Sequence, residues 1–118
     1  KPSALATHFD KKKPIIGVVH LRPLPGAPRY EGEAMRDVVA AALRDARTLA
    51  DGGIDGIMVE NASDMPFSRP EHIGFETVAA LSVVCQEIRN AVSTPIGITC
   101  VANGAIPGLA VAKAVGAR

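Results

Sequence analysis

The sequence predicts an α/β fold built from parallel βα repeats, which would form the first three units of a TIM-type (β/α)8 barrel. Two observations carry this prediction. Short apolar runs rich in β-branched residues alternate with longer segments of helical periodicity. Aligning the runs on Gly17, Gly56 and Gly97 gives spacings of 39 and 41 residues, as expected of successive strand–helix units with parallel strands. The predicted strands cover residues 15–20, 54–60 and 96–101.

The first unit begins with a strand that opens after Pro14 and ends at His20. Its continuous apolar run, Ile15 to Val19, is typical of a strand buried on both faces. Residues 1–13, which end in three lysines, are predicted to be a solvated lead-in segment. The following helix is amphipathic, because apolar residues recur three or four positions apart from Met35 to Ala50 and charged residues lie opposite them.

The second and third units repeat this pattern. Gly52 and Gly53 are predicted to end the first helix, because glycine adopts the left-handed C-terminal conformation without a steric penalty. After a loop over about residues 62–74, a second helix is predicted from the apolar positions Val78, Leu81, Cys85, Ile88 and Val92. A weaker third helix is expected from Leu109 to Val115, with Gly116 as its stop signal.

The whole chain, residues 1–118, is predicted to be one partial barrel domain. A complete (β/α)8 barrel takes about 250 residues, and this chain supplies three of its eight units. The alternative is a small open sheet that needs a partner to cover its edges. Unpaired strand edges and uncovered apolar faces predict association in both cases. We expect a dimer or larger homo-oligomer, or a longer polypeptide that supplies the remaining units.

Composition and charge exclude several classes of partner. The formal net charge is +1 and aromatic residues make up 3% of the chain, so we expect no nucleic-acid binding. No apolar stretch reaches about 18 residues, which predicts no transmembrane segment. Cys85 and Cys100 lack the spacing of a metal or redox motif and lie in apolar runs, as expected of free thiols in a reducing compartment. A cytoplasmic location is therefore predicted.

Polar side chains stand at the three strand ends, where parallel α/β folds place their sites. His20 ends the first strand, Glu60 and Asn61 end the second, and Asn103 follows the third. An imidazole and a carboxylate suit proton transfer, and two amides suit the orientation of a small polar ligand. We expect these four residues to lie at one end of the sheet and to face a common cavity, with His20 and Glu60 catalytic.

Each of these residues also has a structural explanation. His20 could bond a loop carbonyl, and Asn61 or Asn103 could form a turn or cap a helix. A buried Glu60 would need a compensating partner, which favours a functional role for it. No metal site is predicted, because no pair of His, Cys or acidic residues has a recognisable ligand spacing. No nucleotide-binding glycine loop is present, and the sequence identifies no cofactor.

Several stretches of the sequence resemble the BtpA/SgcQ family, which is named partly for a cyanobacterial factor needed for photosystem I accumulation. They are KPIIGVVHLRPLPGAPRY at 13–30, TLADGGIDGIMVEN at 48–61, DMPF at 64–67, and PIGITCVAN with GLAVAKAVGA between 95 and 117. The resemblance runs from about Lys13 to Arg118. The combination of His-Leu-x-Pro-Leu-Pro-Gly with Val-Glu-Asn makes it specific.

The resemblance implies a TIM-type barrel that looks like the phosphate-binding barrel enzymes, without a settled reaction. The family motif falls on His20, Pro23, Pro25 and Gly26 in the first loop, on Glu60 and Asn61, and on Asp64, Pro66 and Phe67. Where the family tends to have Arg-Asn-Asp, this sequence has Ala102, Asn103 and Gly104, so a charge pair is missing.

Two functions are expected from these observations together. The first is a barrel that binds a small polar or phosphorylated ligand, with His20 and Glu60 in acid/base catalysis and Asn61, Asp64 and Asn103 binding the ligand. The alternative is a non-enzymatic assembly or stability factor for photosystem I or another protein complex. Near-neutral charge disfavours direct membrane attachment but leaves peripheral association through a protein partner open.

Overall fold

A computed structural model describes all residues, Lys1–Arg118. It contains three strands, β1 (Ile16–His20), β2 (Gly56–Glu60) and β3 (Ile96–Thr99), which form one parallel sheet in the order β1, β2, β3. Four helices accompany the strands: α1 (Ala4–Phe9), α2 (Met35–Asp51), α3 (Phe75–Ala91) and α4 (Ala105–Val115). A single 3₁₀ turn covers Pro70–His72. The predicted parallel βα repeat is confirmed, and it is consistent with part of a TIM-type barrel.

The strand register assigns each side chain to one of two faces. His20 pairs with Glu60, which in turn pairs with Thr99. Because side chains alternate along a strand, these three lie on the same face. We call it the inner face, and its residues are Ile16, Val18, His20, Gly56, Met58, Glu60, Gly97 and Thr99.

Helices α2, α3 and α4 all cover the same face of the sheet. Val19 and Val59 point toward the helices and are fully buried, whereas Ile16 and Val18 on the inner face are 41% and 46% exposed. The prediction that β1 is buried on both faces is therefore wrong for these 118 residues. Ile16 and Val18 are apolar, as expected of a strand buried on both faces. They are nevertheless exposed, because no helix of this chain covers the middle of the inner face.

Helices α2, α3 and α4 lie side by side on the other face. Helix α2 contacts β1 and α3, and α4 contacts β3 and α3. Their inward stripes supply much of the core: Val38, Leu81, Val84, Ile88 and Val111. Each fully buried aliphatic side chain stabilises the fold by about 1.5–3 kcal/mol relative to an exposed one. The helices also end where glycine was predicted to stop them, with Gly53 and Gly116 at φ +83° and +67°.

The three aligned glycines are not structurally equivalent. Gly17 pairs with Ile57, and Gly56 pairs with Ile16. Gly17 therefore faces the helices, where a Cβ would lie 2.9 Å from Leu49 Cδ2. Gly56 faces inward, because a shift of one residue in register moves a side chain to the opposite face. The strand ends, rather than the glycines, are the matching positions.

Residues 1–13, predicted as a lead-in segment, contain the short helix α1. The Ala6 N–H donates to Ser3 Oγ over 3.1 Å and so caps its first turn. At its other end, Phe9 lies against β2, where a Cβ on Gly56 would be 3.0 Å from Phe9 Cε1. Helix α1 therefore covers the end of the inner face at which the strands begin. None of the four helices is both long and apolar enough to span a bilayer.

Candidate functional site

His20 and Glu60 form a pair at the carboxyl end of the sheet. They are register partners on adjacent strands, and His20 Nε2 lies 3.8 Å from Glu60 Oε2. The His20 side chain is 64% exposed and the Glu60 side chain 24% exposed. At this separation the two groups attract each other when His20 is protonated, but they do not form a close hydrogen bond. Both therefore keep hydrogen-bonding capacity for a third group.

Thr99 extends this pair to the third strand. It is the register partner of Glu60 and lies on the same face. The inner face thus ends in an imidazole, a carboxylate and a hydroxyl on neighbouring strands. Sequence analysis did not single out Thr99, because its place beside Glu60 depends on the pairing register rather than on a motif.

Asn61, the residue after Glu60, lies on the opposite side and is 1% exposed. Its side chain binds the third loop through two hydrogen bonds. The Val101 N–H donates to Asn61 Oδ1 over 2.8 Å, and Asn61 Nδ2 donates to the Val101 carbonyl over 3.4 Å. Strand β3 was predicted to reach residue 101 but ends at Thr99, where these side-chain bonds replace strand pairing at Val101.

Asp64 joins the other two loops. Its Oδ1 accepts the Leu24 N–H over 2.9 Å, and its Oδ2 accepts Asn61 Nδ2 over 3.0 Å. Burial raises the pKa of Asp64 above its ordinary value of 3.8, while the bonds from Leu24 and Asn61 act in the opposite direction. Asn61 and Asp64 together connect the loops that follow β1, β2 and β3. We call these two residues the loop clamp.

The structure does not place the four predicted site residues around one cavity. Asn61 and Asp64 line a cavity of about 60 Å³ beside the start of α3, and Asn103 lines a different groove between β3 and α4. Neither space includes His20 or Glu60. The expectation of a common cavity is therefore wrong. The physical reason is the alternation of side chains, which sends Glu60 and Asn61 to opposite sides of the sheet.

Asn103 is an exposed residue in a left-handed turn, with φ +55°. It directly precedes Gly104, where a Cβ would lie 2.8 Å from both the Cys100 carbonyl oxygen and Ile73 Cδ1. Gly104 therefore has no room for a side chain, and a larger residue there would require the loop after β3 to shift.

The first loop depends on Gly26, which adopts φ +91°. A Cβ there would lie 2.5 Å from Glu76 Cγ, so the Glu76 side chain of α3 packs directly over this glycine. Leu24, two residues earlier, is fully buried. The proline-rich loop is therefore anchored by Leu24 and by the close approach of α3, which sequence analysis did not predict.

The two cysteines are buried, unpaired thiols, as predicted. Burial raises the pKa of Cys85 to about 12. The pKa of Cys100 is also raised, by burial and by the charge of Asp64. A thiol that stays protonated is a poor nucleophile, so neither cysteine suits covalent catalysis. The structure contains no group of three or more His, Cys, Asp or Glu side chains arranged to hold a metal ion.

Three parallel strands that alternate with helices place this chain in the large class of α/β proteins. Within this class, the chain belongs to the BtpA family, whose model matches residues 11–118. The family resemblance expected from the sequence is confirmed.

Individual relatives come from archaea and bacteria. An uncharacterized protein of Pyrococcus furiosus is 47% identical over 105 residues, which are 89% of this chain and 39% of that protein. The photosystem I biogenesis protein BtpA of Synechocystis is 40% identical over 110 residues, covering 93% of this chain and 38% of the relative. The putative sgc region protein SgcQ of Escherichia coli is 31% identical over 91 residues, which cover 74% of this chain and 32% of that protein.

This chain spans about two fifths of the length of the first of these relatives. The matched part carries the three βα units described here. What the longer relatives do as whole proteins therefore does not transfer directly to this chain.

Proposed function

We propose that this chain contributes an acid/base pair, His20 and Glu60, to a site that binds a small polar or phosphorylated ligand at the carboxyl ends of the strands. The single observation that carries the proposal is the geometry of the pair. The two side chains are register partners on one face, 3.8 Å apart, and partly exposed at the end of an otherwise apolar inner face. Proton transfer needs an acid or a base within hydrogen-bonding reach of the reacting atom, and this pair offers one of each.

The two groups have complementary roles in this proposal. Neutral His20 or ionised Glu60 accepts a proton from the ligand, and its protonated partner donates one. Thr99 offers a hydroxyl on the next strand for orienting the ligand. Asn103 is exposed and free to contact the ligand from the third loop.

Asn61 and Asp64 are also proposed to bind the ligand, but only with the few hydrogen-bonding positions that the loops leave free. Their bonds to Val101, to Leu24 and to each other occupy much of their hydrogen-bonding capacity. A ligand in the cavity of about 60 Å³ would use the remaining lone pairs of the Asp64 carboxylate. A group larger than a few atoms does not fit there without movement of the loops.

Ligand binding is tested by thermal unfolding and calorimetry with named probes: inorganic phosphate, glycerol 3-phosphate and glycerol. A ligand at 100 times its Kd stabilises the protein by about 2.7 kcal/mol. For a probe that binds, we expect His20→Gln and Glu60→Gln to weaken the affinity at least about tenfold, which is about 1.4 kcal/mol. Matched controls His8→Gln and Glu87→Gln change exposed residues away from the pair and should leave the affinity unchanged. Binding that is equal in all five proteins contradicts the proposed site.

A second proposed function is a role in assembling a protein complex. It is favoured by one observation, the relative in Synechocystis that is called a photosystem I biogenesis protein. The test is a chimera in which this chain replaces the matched 110 residues of that relative. Photosystem I content, measured by P700 absorbance, should be retained in the chimera, and its loss contradicts this function. Retention after His20→Gln and Glu60→Gln would favour a non-enzymatic role.

The proposed location is the cytoplasm, with peripheral association to a membrane complex in the second function. Its support is the presence of two free thiols, which suits a reducing compartment.

A further inference from the structure

Helix α3 presents an uncharged stripe to solvent on the outer side of the three packed helices. Phe75 is 93% exposed and Val83 is 49% exposed, and Ala79 between them is exposed as well. Their spacing of four residues places them on one side of the helix, away from the buried side that carries Leu81 and Val84. We propose that this surface, the α3 stripe, binds the same stripe of a second copy of the chain in a twofold-symmetric dimer. The inference concerns a protein surface and does not depend on the proposed ligand chemistry.

The α3 stripe lacks the charged residues that the solvent-facing side of a helix usually carries. Gln86 and Asn90 continue it toward the end of α3, where Gln86 Nε2 donates to Asn90 Oδ1 over 3.0 Å. The nearest charged side chains turn to other parts of the molecule. Glu76 packs over the first loop, and Arg89 donates to the Gly116 carbonyl at the end of α4. An exposed apolar surface without charged residues is typical of the centre of a protein–protein contact.

Completing a barrel would leave the α3 stripe uncovered. Helix α3 contacts α2 on one side and α4 on the other, and all three helices belong to this chain. Further strand–helix units would join the sheet beside β1 or β3, so their helices would lie next to α2 or α4. The proposed contact therefore differs from the association expected at the unpaired strand edges, which such units would satisfy.

The order of side-chain sizes along the stripe suits an identical partner. Ala79 is small and lies midway between Phe75 and Val83, so two copies of α3 can approach closely if they cross at Ala79. In an antiparallel crossing at that residue, Phe75 lies beside Val83 of the partner subunit. A twofold axis repeats this contact, so one stripe supplies both halves of the interface.

The outer surface of the helices is also large enough for a dimer. Helix α3 has 17 residues and is therefore about 25 Å long, and three helices packed about 9 Å apart span about 28 Å. Together they offer about 700 Å² per copy, close to the roughly 800 Å² per partner that stable interfaces bury.

The test is size-exclusion chromatography with light scattering, together with sedimentation velocity, on the 118-residue chain. We expect a dimer, and Phe75→Asp should weaken dimerisation at least about tenfold by placing a charge in the contact. This variant should fold, because Phe75 is exposed in the first turn of α3, where a carboxylate favours the helix. Leu109→Asp is the matched control, since Leu109 is 70% exposed on α4 beside the free edge of β3. It should leave the dimer intact.

Cysteine cross-linking tests the crossing point. Ale79 is not altered in fold by a small thiol, and Ala79→Cys should form a disulfide between the two copies, because residue 79 of each copy faces the other where the helices cross. Asn90→Cys is the control, because residue 90 lies near the other end of α3 and its two copies would be about 30 Å apart in this dimer. The native Cys85 and Cys100 are buried, which keeps them out of the reaction.

A monomeric chain overturns the inference. So does a dimer that Phe75→Asp leaves unchanged or that Leu109→Asp dissociates, since either result places the contact away from the α3 stripe. Cross-linking of Asn90→Cys in preference to Ala79→Cys overturns the antiparallel crossing and with it the proposed dimer.

Discussion

The side chain of Asn61 takes the place of a neighbouring strand for the backbone of Val101. Its Oδ1 accepts the Val101 N–H over 2.8 Å, and its Nδ2 donates to the Val101 carbonyl over 3.4 Å. Forty positions of sequence separate the two residues. One amide thus fixes the third loop to the second and, through Asp64, to the first.

Replacing Asn61 by leucine should strongly destabilise the fold. The change preserves volume but leaves the partly buried Val101 N–H and one oxygen of the buried Asp64 without a partner. Each unsatisfied buried group costs about 1–3 kcal/mol, so we expect a loss of about 3 kcal/mol in the free energy of unfolding. Urea denaturation measures it. Asn90→Leu on the exposed side of α3 is the control and should change stability by less than about 0.5 kcal/mol. Equal effects of the two changes would count against the clamp.

Asp64 should make stability rise as the pH falls from 7 toward 4. Its pKa is raised in the folded protein, so the folded state takes up a proton at higher pH than the unfolded state, whose value is near 3.8. This contribution is complete below pH 3.8 and is lost as the pH rises through the raised value. Thermal unfolding of the wild type and Asp64→Asn across this range gives the difference. A difference that is constant with pH would contradict the prediction.

Asp55 should have the opposite effect on the pH dependence of stability from Asp64, because its pKa is lowered in the folded protein. Bonds from the Lys11 side chain and the Ile15 N–H lower its pKa. Its contribution is therefore present above pH 3.8 and is lost as the pH falls through the lowered value. The wild type should lose its advantage over Asp55→Asn only below about pH 3.8, the ordinary value for this group. The same thermal series extended to pH 2 measures this.

His20 and Glu60 should matter little for stability. An exposed ion pair of this kind contributes about 0–1 kcal/mol. We therefore expect His20→Gln and Glu60→Gln each to change the free energy of unfolding by less than about 1 kcal/mol. Their small effect in urea denaturation would separate them from the loop clamp. A loss above about 2 kcal/mol in either variant would show that the pair is structural.

Gly26 should tolerate alanine less well than Gly32. Both glycines have positive φ, +91° and +86°, so alanine costs about 1–2 kcal/mol at each. Only at Gly26 does the new Cβ meet another residue, Glu76, whereas nothing lies within 4 Å at Gly32. We expect Gly26→Ala to cost a further amount of about 0.5–1.5 kcal/mol, because the exposed Glu76 side chain must turn to a less favourable rotamer to make room. Urea denaturation measures both variants.

The double variant Gly26→Ala with Glu76→Ala tests the cause of that extra cost. Removing the Glu76 side chain should bring the destabilisation close to that of Gly32→Ala. If the extra cost persists, the contact with Glu76 is not its source.

The repeating units could be predicted from the sequence because their signals are local. Helices α2 and α3 bury the periodic stripes from which they were expected, and glycine ends α2 and α4. The loop clamp could not be predicted, because the partners of Asn61 and Asp64 lie 40 residues away along the chain. Helix α1 is too short to show an apolar face. The separation of Asn61 from Glu60 follows from the alternation of side chains along a strand, provided that the strand continues to residue 61.

The adjacent residues Glu60 and Asn61 lie on opposite sides of β2, one beside His20 and the other against the loops. This arrangement bears on how such proteins diverge. A substitution at position 60 alters what the open end of the sheet offers to a ligand, while position 61 continues to hold the loops in place. One inherited framework can therefore acquire different chemistries by changes on a single face, without first losing the ability to fold.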